Sequence, residues 1–247
     1  MFMNYYLVAD IGNTRTKATI FFNEKIFFES EKNPEELFSF LKKGNISIKK
    51  ALICETGKDE IFLNLLNRHN IPYEYLSSST CTPIHSKYST AETLGTDRVA
   101  AICGAQALHP NANLLCITAG TCITYNLLTT EKIFMGGSIS PGINMRLKAM
   151  AHFTAKLPLV DWDFEVLPAL LANNTKDSLL SGAIHGTIKE IEGIIDEYQN
   201  TFNNLKIIIT GGDASFLAAN VKKDLILRPN LILEGLYTIL RYNEKTT

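Results

Sequence analysis

The stretch that decides the fold is YYLVADIGNTRTKATIFF, residues 5–22, together with its counterpart LLCITAGTCITYNLL, residues 114–128. Each begins with an apolar run typical of a buried strand and passes through a glycine turn into a second β-rich run. The tetrapeptide EKIF then follows in both halves, at 24–27 and at 131–134. Deleting one residue of the first turn, Asn13, aligns both turns and both tetrapeptides. These matches predict two copies of one β-sheet unit.

The pattern outside these stretches predicts an α/β protein whose repeated unit has the order β-β-β-α-β-α-β. In the first half, helices are expected at 34–43 and 59–69 and strands at 51–54 and 73–76. Later helices are expected at 96–108, 145–152, 177–198 and 231–242, with a strand at 206–209. We therefore expect two domains, residues 1–112 and 113–247.

Composition narrows the class of protein. The 247 residues are 46% hydrophobic, with 24 Lys and Arg against 25 Asp and Glu, so the chain lacks the basic excess of a nucleic-acid-binding protein and favours a small-metabolite partner. The start of the chain has no signal-peptide or membrane-span pattern, which predicts a cytoplasmic protein with no membrane partner. Five cysteines without C-x-x-C spacing indicate a reducing compartment and no structural zinc.

The first glycine turn, D-I-G-N-T at Asp10 to Thr14, suits phosphate binding. Glycine allows backbone N–H groups to approach an anion, Thr14 offers a hydroxyl, and Asp10 offers a carboxylate for a hydrated Mg²⁺ ion. An ordinary hairpin with Asp and Asn in turn positions is the alternative. A second turn at Gly120-Thr121 and a third at Thr210 to Asp213 favour a nucleotide site, since two such hairpins can hold a polyphosphate. The chain has neither G-x-x-x-x-G-K-[ST] nor a Rossmann G-x-G-x-x-G after its first strand.

The segment Gly95-Thr96-Asp97-Arg98 opens a predicted helix. A helix N-terminus attracts anions, a carboxylate can accept the proton of a substrate hydroxyl, and an arginine can bind a carboxylate through two hydrogen bonds. The alternative is that Asp97 is an ordinary first-turn charge and Arg98 a surface residue.

Taken in order along the chain, these motifs resemble the type III pantothenate kinases. The resemblance rests on D-I-G-N-T, on Tyr88 ahead of L-G-T-D-R at 94–98, on A-G-T-x-x-T at 119–124, on G-G-S-I-S-P-G at 136–142 and on T-G-G at 210–212. It implies two ribonuclease-H-like domains of the actin and sugar-kinase superfamily, with ATP between them. It also implies a homodimer whose interface helps form the substrate site. The implied reaction is ATP-dependent phosphorylation of the primary hydroxyl of pantothenate, the first step of coenzyme A synthesis.

The resemblance also assigns roles to residues. Asp97 would accept the proton, and Asp10 would hold Mg²⁺ through water. The ATP-binding positions would be Asp10, Ile11, Gly12, Asn13, Thr14, Arg15, Thr16, Lys17, Thr121, Gly211 and Gly212. The pantothenate-binding positions would be Tyr88, Gly95, Thr96, Asp97, Arg98 and Thr175. Each has a structural alternative: Tyr88 as a packed aromatic, Thr175 as a helix cap, and Gly136-Gly137 as a bend.

Two positions depart from the family pattern. Thr118 stands where the family usually carries the Asp that binds a monovalent cation, K⁺ or NH₄⁺, and Asn126 stands where a second Asp is common. Thr118 can offer a hydroxyl or carbonyl oxygen to such an ion but cannot balance its charge. Ala91 also lies near the place of a frequent proline.

Two other functions remain open at this point. One is a kinase of the same superfamily acting on a sugar or another hydroxy acid, because fold alone does not separate substrates. The other is a nucleotide-sensing regulator that has lost its chemistry at Thr118 and Asn126. The intact Asp10, Asp97 and Arg98 argue against the regulator.

Overall fold

The computed structural model describes residues 4–30, 34–163 and 166–246. The first part of the chain forms β1 Tyr5–Ile11, β2 Thr16–Phe22, β3 Lys25–Ser30, α1 Pro34–Lys43, β4 Ile48–Glu55, α2 Glu60–Arg68, β5 Tyr73–Tyr75, β6 His85–Ser86 and α3 Thr96–Leu108. The rest forms β7 Asn113–Ala119, β8 Cys122–Leu128, β9 Ile133–Pro141, α4 Ile143–Phe153, α5 Thr175–Thr201, β10 Leu205–Thr210, α6 Ala214–Asn220, β11 Ile226–Leu227 and α7 Leu231–Thr246.

These elements fall into two compact units. The first comprises the described residues of 1–110, 132–134 and 231–247, and the second comprises those of 111–131 and 135–230. The predicted domains, 1–112 and 113–247, stay a prediction. The compact units differ from them chiefly because α7 is grouped with the first unit.

The first unit contains a sheet with the strand order β3-β2-β1-β4-β5. β1 is antiparallel to β2 and parallel to β4, and β4 is parallel to β5. The apolar faces of β1 and β4 meet α1 and α2 in one core that includes Leu7, Ile53, Phe62 and Leu66. The predicted order β-β-β-α-β-α-β is confirmed here.

The second unit repeats this arrangement. The sheet to which its strands belong has the order β6-β9-β8-β7-β10-β11, with β7 antiparallel to β8 and parallel to β10. Without the short β6, this is strand for strand the order of the first sheet, which confirms the predicted α/β fold with a duplicated topology. An additional helix, α4, stands before α5. The core of this unit includes Ile117, Tyr125, Ile184 and Ile209.

Close helix packing explains why α7 belongs to the first unit. A Cβ atom on Gly235 of α7 would lie 1.8 Å from the Ala100 carbonyl oxygen, and one on Gly104 of α3 would lie 2.5 Å from the Leu231 carbonyl oxygen. Two glycines thus let the backbones of α3 and α7 approach each other. No helix within the described residues has the length and apolar character needed to cross a membrane.

Candidate active site

The first phosphate turn follows β1. Asp10 lies next to the end of β1, opposite Lys17 on β2 and beside Cys54 on β4. The N–H of Gly12 donates to the Arg15 carbonyl at 3.1 Å and closes the turn. Of the predicted ATP-binding positions in this hairpin, Ile11 is buried; Asp10, Gly12, Thr16 and Lys17 are half-buried; and Asn13, Thr14 and Arg15 are exposed. The turn therefore presents its tip to solvent, as an anion-binding loop must.

Two residues that follow β4 hold this turn through backbone contacts. The N–H groups of Thr56 and Gly57 both donate to the Ile11 carbonyl at 2.9 Å. A Cβ atom on Gly57 would lie 2.2 Å from the Gly12 carbonyl oxygen, so only glycine allows this approach. The sequence analysis missed Gly57, because its importance depends on a contact between residues that are far apart in the chain.

Asp59 links the hairpin to α2. One of its oxygens accepts from the Phe62 N–H at 2.9 Å and caps the helix, while the other accepts from the Thr16 hydroxyl at 2.6 Å. The same carboxylate thus begins a helix and holds β2 where it leaves the phosphate turn. Sequence analysis included Asp59 only as the start of a helix.

Asp97 lies in the first turn of α3. Its Oδ1 atom accepts the Arg98 N–H at 2.9 Å, which holds the side chain back over the start of the helix. A Cβ atom on Gly95 would lie 2.5 Å from that oxygen, so glycine at position 95 makes room for the carboxylate. Gly95, Thr96 and Asp97 are half-buried and Arg98 is 4% exposed. The prediction that this segment opens a helix is confirmed, and the alternative of Arg98 as a surface residue is wrong.

Burial changes the acidity of both carboxyl groups. It raises the pKa of Asp10 from 3.8 to about 6, with the negative charge of Asp97 as the next cause and Lys17 opposing the rise. Burial also raises the pKa of Asp97, opposed by the Arg98 N–H and the Arg98 guanidinium. The site therefore holds two carboxylates at an energetic cost, which is typical of positions kept for chemistry or cation binding.

Cys54 connects these two carboxylate positions. Its sulfur lies 3.2 Å from the Thr96 hydroxyl, and its side chain also hydrogen-bonds Asp10. The thiol is completely buried, and burial together with the charge of Asp10 raises its pKa well above the ordinary value. It therefore serves as a neutral polar bridge from the end of β1 to the start of α3.

The predicted substrate residues Tyr88 and Arg98 meet around Phe134. The Arg98 guanidinium carbon lies 5.5 Å from the centre of the Tyr88 ring and 5.8 Å from that of Phe134. The two rings are 6.2 Å apart and nearly parallel. Tyr88 is half-buried, which agrees with the alternative interpretation of Tyr88 as a packed aromatic. One of the groups it packs against is Arg98, the candidate carboxylate-binding residue.

The second glycine turn, in the other unit, is held by Gly142. The Gly142 N–H donates to the Thr121 carbonyl at 3.1 Å, and a Cβ atom there would lie 2.0 Å from the Gly120 carbonyl oxygen. Gly120 itself has open space where a Cβ would stand, and Thr121 is exposed. The G-G-S-I-S-P-G segment therefore supports the second glycine turn. The alternative from the sequence, in which Gly136-Gly137 is merely a bend, does not account for this contact.

The third glycine turn approaches the same strand end. Gly211 has a φ of +107°, and a Cβ atom there would lie 2.1 Å from the Ala119 carbonyl oxygen. That oxygen also accepts the Asp213 N–H at 3.1 Å. Gly211 is half-buried and Gly212 is exposed. Gly211 thus allows a close backbone contact at the glycine turn of the second unit, as Gly57 does at the turn of the first unit.

An ionic network anchors the segment before Gly142. Arg146 donates to the Pro141 carbonyl and to the Ser140 hydroxyl, each at 2.9 Å, and also pairs with Glu190 on α5. Glu190 accepts the Tyr125 hydroxyl at 2.9 Å. This network was not predicted, since its members come from four elements, β8, β9, α4 and α5.

The strand neighbours of Thr118 carry no charge. Its strand neighbours are Thr124 and Thr210, and Asn126, fully buried, donates to the Thr124 hydroxyl at 2.9 Å. These residues offer oxygens but no charge at the end of β7. They do not fit a site in which a protein carboxylate balances a monovalent cation.

Thr175 is the first residue of α5 and is exposed. The helix cap is Asn174, whose side chain accepts the Asp177 N–H at 3.0 Å. The alternative of Thr175 as the cap is therefore wrong. Among the residues that the structure describes, no group of three or more His, Cys, Asp or Glu side chains is placed to hold a metal ion.

The sequence of this chain is similar to a defined family of kinases. The family model described as type III pantothenate kinase matches residues 6–197. A type III pantothenate kinase of Christiangramia forsetii is 38% identical over 96% of this chain and 98% of its own length. One from Cytophaga hutchinsonii is 45% identical over 68% of this chain and 71% of its own.

Solved structures share the fold at low identity. A Campylobacter jejuni protein titled as a Baf family transcriptional activator superposes with a TM-score of 0.59 at 24% identity, covering 97% of this chain and 99% of its own. A glucokinase from an Antarctic psychrotroph gives 0.51 at 14% identity over 98% of this chain and all of its own. These structures show the fold alone. The sequence relatives do not favour a kinase for another metabolite or a nucleotide-sensing regulator.

Proposed function

Because this chain belongs to the type III pantothenate kinase family, we propose that it transfers the γ-phosphoryl group of ATP to the primary hydroxyl of pantothenate. The observation that carries the assignment of roles is the start of α3, where the Asp97 carboxylate accepts the backbone N–H of Arg98 and the Arg98 side chain is buried. A carboxylate and a fixed guanidinium at a helix N-terminus suit a substrate with a hydroxyl at one end and a carboxylate at the other.

In the proposed step, Asp97 orients the substrate hydroxyl and accepts its proton. The hydroxyl oxygen forms a bond to the γ-phosphorus as the bond from that phosphorus to the bridging oxygen breaks, which releases ADP. Burial raises the pKa of Asp97, which makes its carboxylate a stronger base than one in water. Arg98 binds the substrate carboxylate, with Tyr88, Gly95 and Thr96 lining the same position.

The phosphates of ATP are proposed to bind at the glycine turns. In the first unit the exposed tip of the β1–β2 hairpin, residues 13–15, provides N–H groups and a hydroxyl. In the second unit Thr121 contacts phosphate, and Gly211 and Gly212 lie against the adenosine. The open space beside Gly120 supports a close approach of ligand to backbone.

Mg²⁺ is proposed to be held by Asp10 through water. The burial of Asp10 and the nearby charge of Asp97 fit a divalent cation, because such an ion would offset the repulsion that raises the pKa of Asp10. When bound, the ion would neutralise phosphate charge. The role of this chain is to keep Asp10 at the end of β1, where Cys54 hydrogen-bonds it.

A monovalent cation is not proposed as a requirement for this chain, since Thr118 has neutral strand neighbours. Turnover in K⁺, in NH₄⁺ and in a bulky organic cation should therefore agree within about twofold, and K⁺ should not raise the melting temperature of the protein. Thr118→Asp should introduce a K⁺-dependent rise in melting temperature. Strong activation of the natural chain by K⁺ would contradict this expectation.

A homodimer is proposed as the working form. The segment between α4 and α5 exposes large apolar side chains, among them Phe153, Leu159, Val166, Leu170 and Leu171, and Leu171 is 91% exposed. Exposed apolar surface of this kind is typical of an interface. Sedimentation should give twice the chain mass, and Leu171→Glu should shift it towards the monomer. Thr175 follows this segment directly, so its proposed contact with pantothenate can be tested in the same variant.

The decisive assay measures ADP release from Mg-ATP with and without pantothenate. Pantothenate-dependent release supports the function, and Asp97→Asn should reduce kcat by about two to four orders of magnitude while the fold persists. Asp224→Asn, which changes an exposed carboxylate outside the candidate site, is the matched control and should leave kcat unchanged. Nucleotide binding without pantothenate-dependent release would reject the proposal.

A further inference from the structure

Phe134 packs against the candidate substrate residues Tyr88 and Arg98, although it belongs to none of the motifs that carry the family resemblance. Its ring centre is 5.8 Å from the Arg98 guanidinium carbon and 6.2 Å from the centre of the Tyr88 ring, and the distance from Arg98 to Tyr88 is 5.5 Å. The three groups form a compact triangle. Both distances from the guanidinium to a ring lie within the range of cation–π attraction.

The backbone holds Phe134 against the loop that carries Tyr88. Strand β6 pairs in parallel with the start of β9, with Ser86 opposite Phe134. The Lys87 N–H donates to the Phe134 carbonyl at 3.0 Å, and the His85 N–H donates to the Lys132 carbonyl at 2.8 Å. Phe134 therefore has one fixed position relative to the residues just before Tyr88.

Phe134 is 0% exposed and Arg98 is 4% exposed. A fully buried ring does not touch a substrate, so any effect of Phe134 on binding acts through Arg98 or Tyr88. Contact with two rings restricts the orientations of the Arg98 guanidinium. Fewer orientations lower the entropy that is lost when a guanidinium forms two hydrogen bonds to a carboxylate.

We propose that Phe134 is a positioning residue that fixes the guanidinium of Arg98 for a carboxylate, and so makes the site selective for acceptor alcohols that carry a carboxylate. The inference rests on the proposed function and adds a determinant of its substrate specificity. The acceptor class is a hydroxy acid whose carboxylate is distant from the reacting hydroxyl. Neutral hydroxylated compounds would lose the contact with Arg98 and gain nothing from Phe134.

The test compares Phe134→Leu with Phe62→Leu. Both remove a completely buried ring of the first unit, but Phe62 lies on α2 in the core around β1 and β4. KM is measured for pantothenate, for its uncharged carboxamide analogue and for ATP. Phe134→Leu should raise KM for pantothenate by about 2- to 30-fold, the range expected for a desolvated cation–π contact. KM for the carboxamide and KM for ATP should change less than twofold, and Phe62→Leu should leave all three within twofold.

Several outcomes would overturn the inference while leaving the proposed function intact. One is pantothenate turnover with an unchanged KM in Phe134→Leu. Another is a rise in KM that is equal for the carboxylate and the carboxamide, since a merely structural role would affect both. If the leucine variant is not recovered folded, Phe134→Met gives the same comparison, because its unbranched side chain fills irregular space without a ring. An absence of pantothenate turnover in the natural chain would instead reject the proposed function.

Discussion

Replacing Asp10 by asparagine should stabilise the protein above neutral pH when Mg²⁺ and ATP are absent. The pKa of Asp10 is raised from 3.8 to about 6, chiefly by burial. A raised pKa means that ionisation of Asp10 penalises the folded state, and the penalty develops as pH rises from about 3.8 through about 6. Asparagine carries no charge, so the variant avoids that penalty.

The size of the effect follows from the same values. A rise in pKa from 3.8 to about 6 corresponds to about 3 kcal/mol of unfolding free energy at pH 8. The advantage of Asp10→Asn should fall to about 1 kcal/mol at pH 4.5, where the folded wild type binds the proton. For a chain of this length, 3 kcal/mol corresponds to a melting temperature higher by about 6 to 12 °C.

The assay is urea or thermal unfolding at pH 8 and at pH 4.5, with a chelator present to remove divalent ions. Asp224→Asn, at an exposed position, is the control and should change stability by less than about 0.5 kcal/mol at both pH values. The reasoning is refuted if Asp10→Asn is less stable than wild type at pH 8, or if its advantage is the same at both pH values. Adding Mg-ATP should stabilise wild type and not the variant, because ligand binding to the native state raises stability.

Three further predictions concern residues that hold the glycine turns of the candidate site in place. Asp59→Ala should cost about 2 to 4 kcal/mol of unfolding free energy, because it removes both a helix cap and the acceptor of the Thr16 hydroxyl. A double-mutant cycle with Thr16→Val should show that the effects of the two substitutions are not additive. Gly211→Ala should cost more than about 2 kcal/mol of unfolding free energy, because Gly211 has a positive φ and contacts a carbonyl. Gly120→Ala should leave the melting temperature unchanged but weaken ATP binding, as measured by calorimetry. Arg146→Met should raise KM for ATP about 3- to 10-fold with little change in KM for pantothenate, since it releases the segment that supports the second glycine turn; an equal rise in both KM values would count against that positioning role.

The parts of the candidate site that lie within a few consecutive residues could be predicted from the sequence. Asp97 and Arg98 follow a glycine at the start of a periodic helical stretch, so their placement on a helix N-terminus could be inferred directly. The contacts that surround them could not. Cys54 lies 42 residues before Thr96 in the chain, and nothing in its own segment indicates that a thiol bridges to a helix that forms later.

Likewise, β6 has two residues and β11 has two, which is too short for any periodic pattern, and neither strand was predicted. The pairing of β6 with β9 brings Phe134 against Tyr88. A residue recognised from the sequence only as part of a repeated tetrapeptide thereby becomes a neighbour of Arg98, the proposed substrate-binding arginine.

The sequence alone determined the duplicated α/β unit and the positions of the three glycine turns, because apolar periodicity and turn glycines act over a few residues. The kinase family followed from the resemblance of the ordered motifs. Tertiary structure alone decided which glycines are irreplaceable and which neighbours shift the acidity of Asp10. It also decided that α7 packs on α3. The physical reason is that close approach, desolvation and register depend on atoms brought together from distant parts of the chain, and no local pattern specifies them.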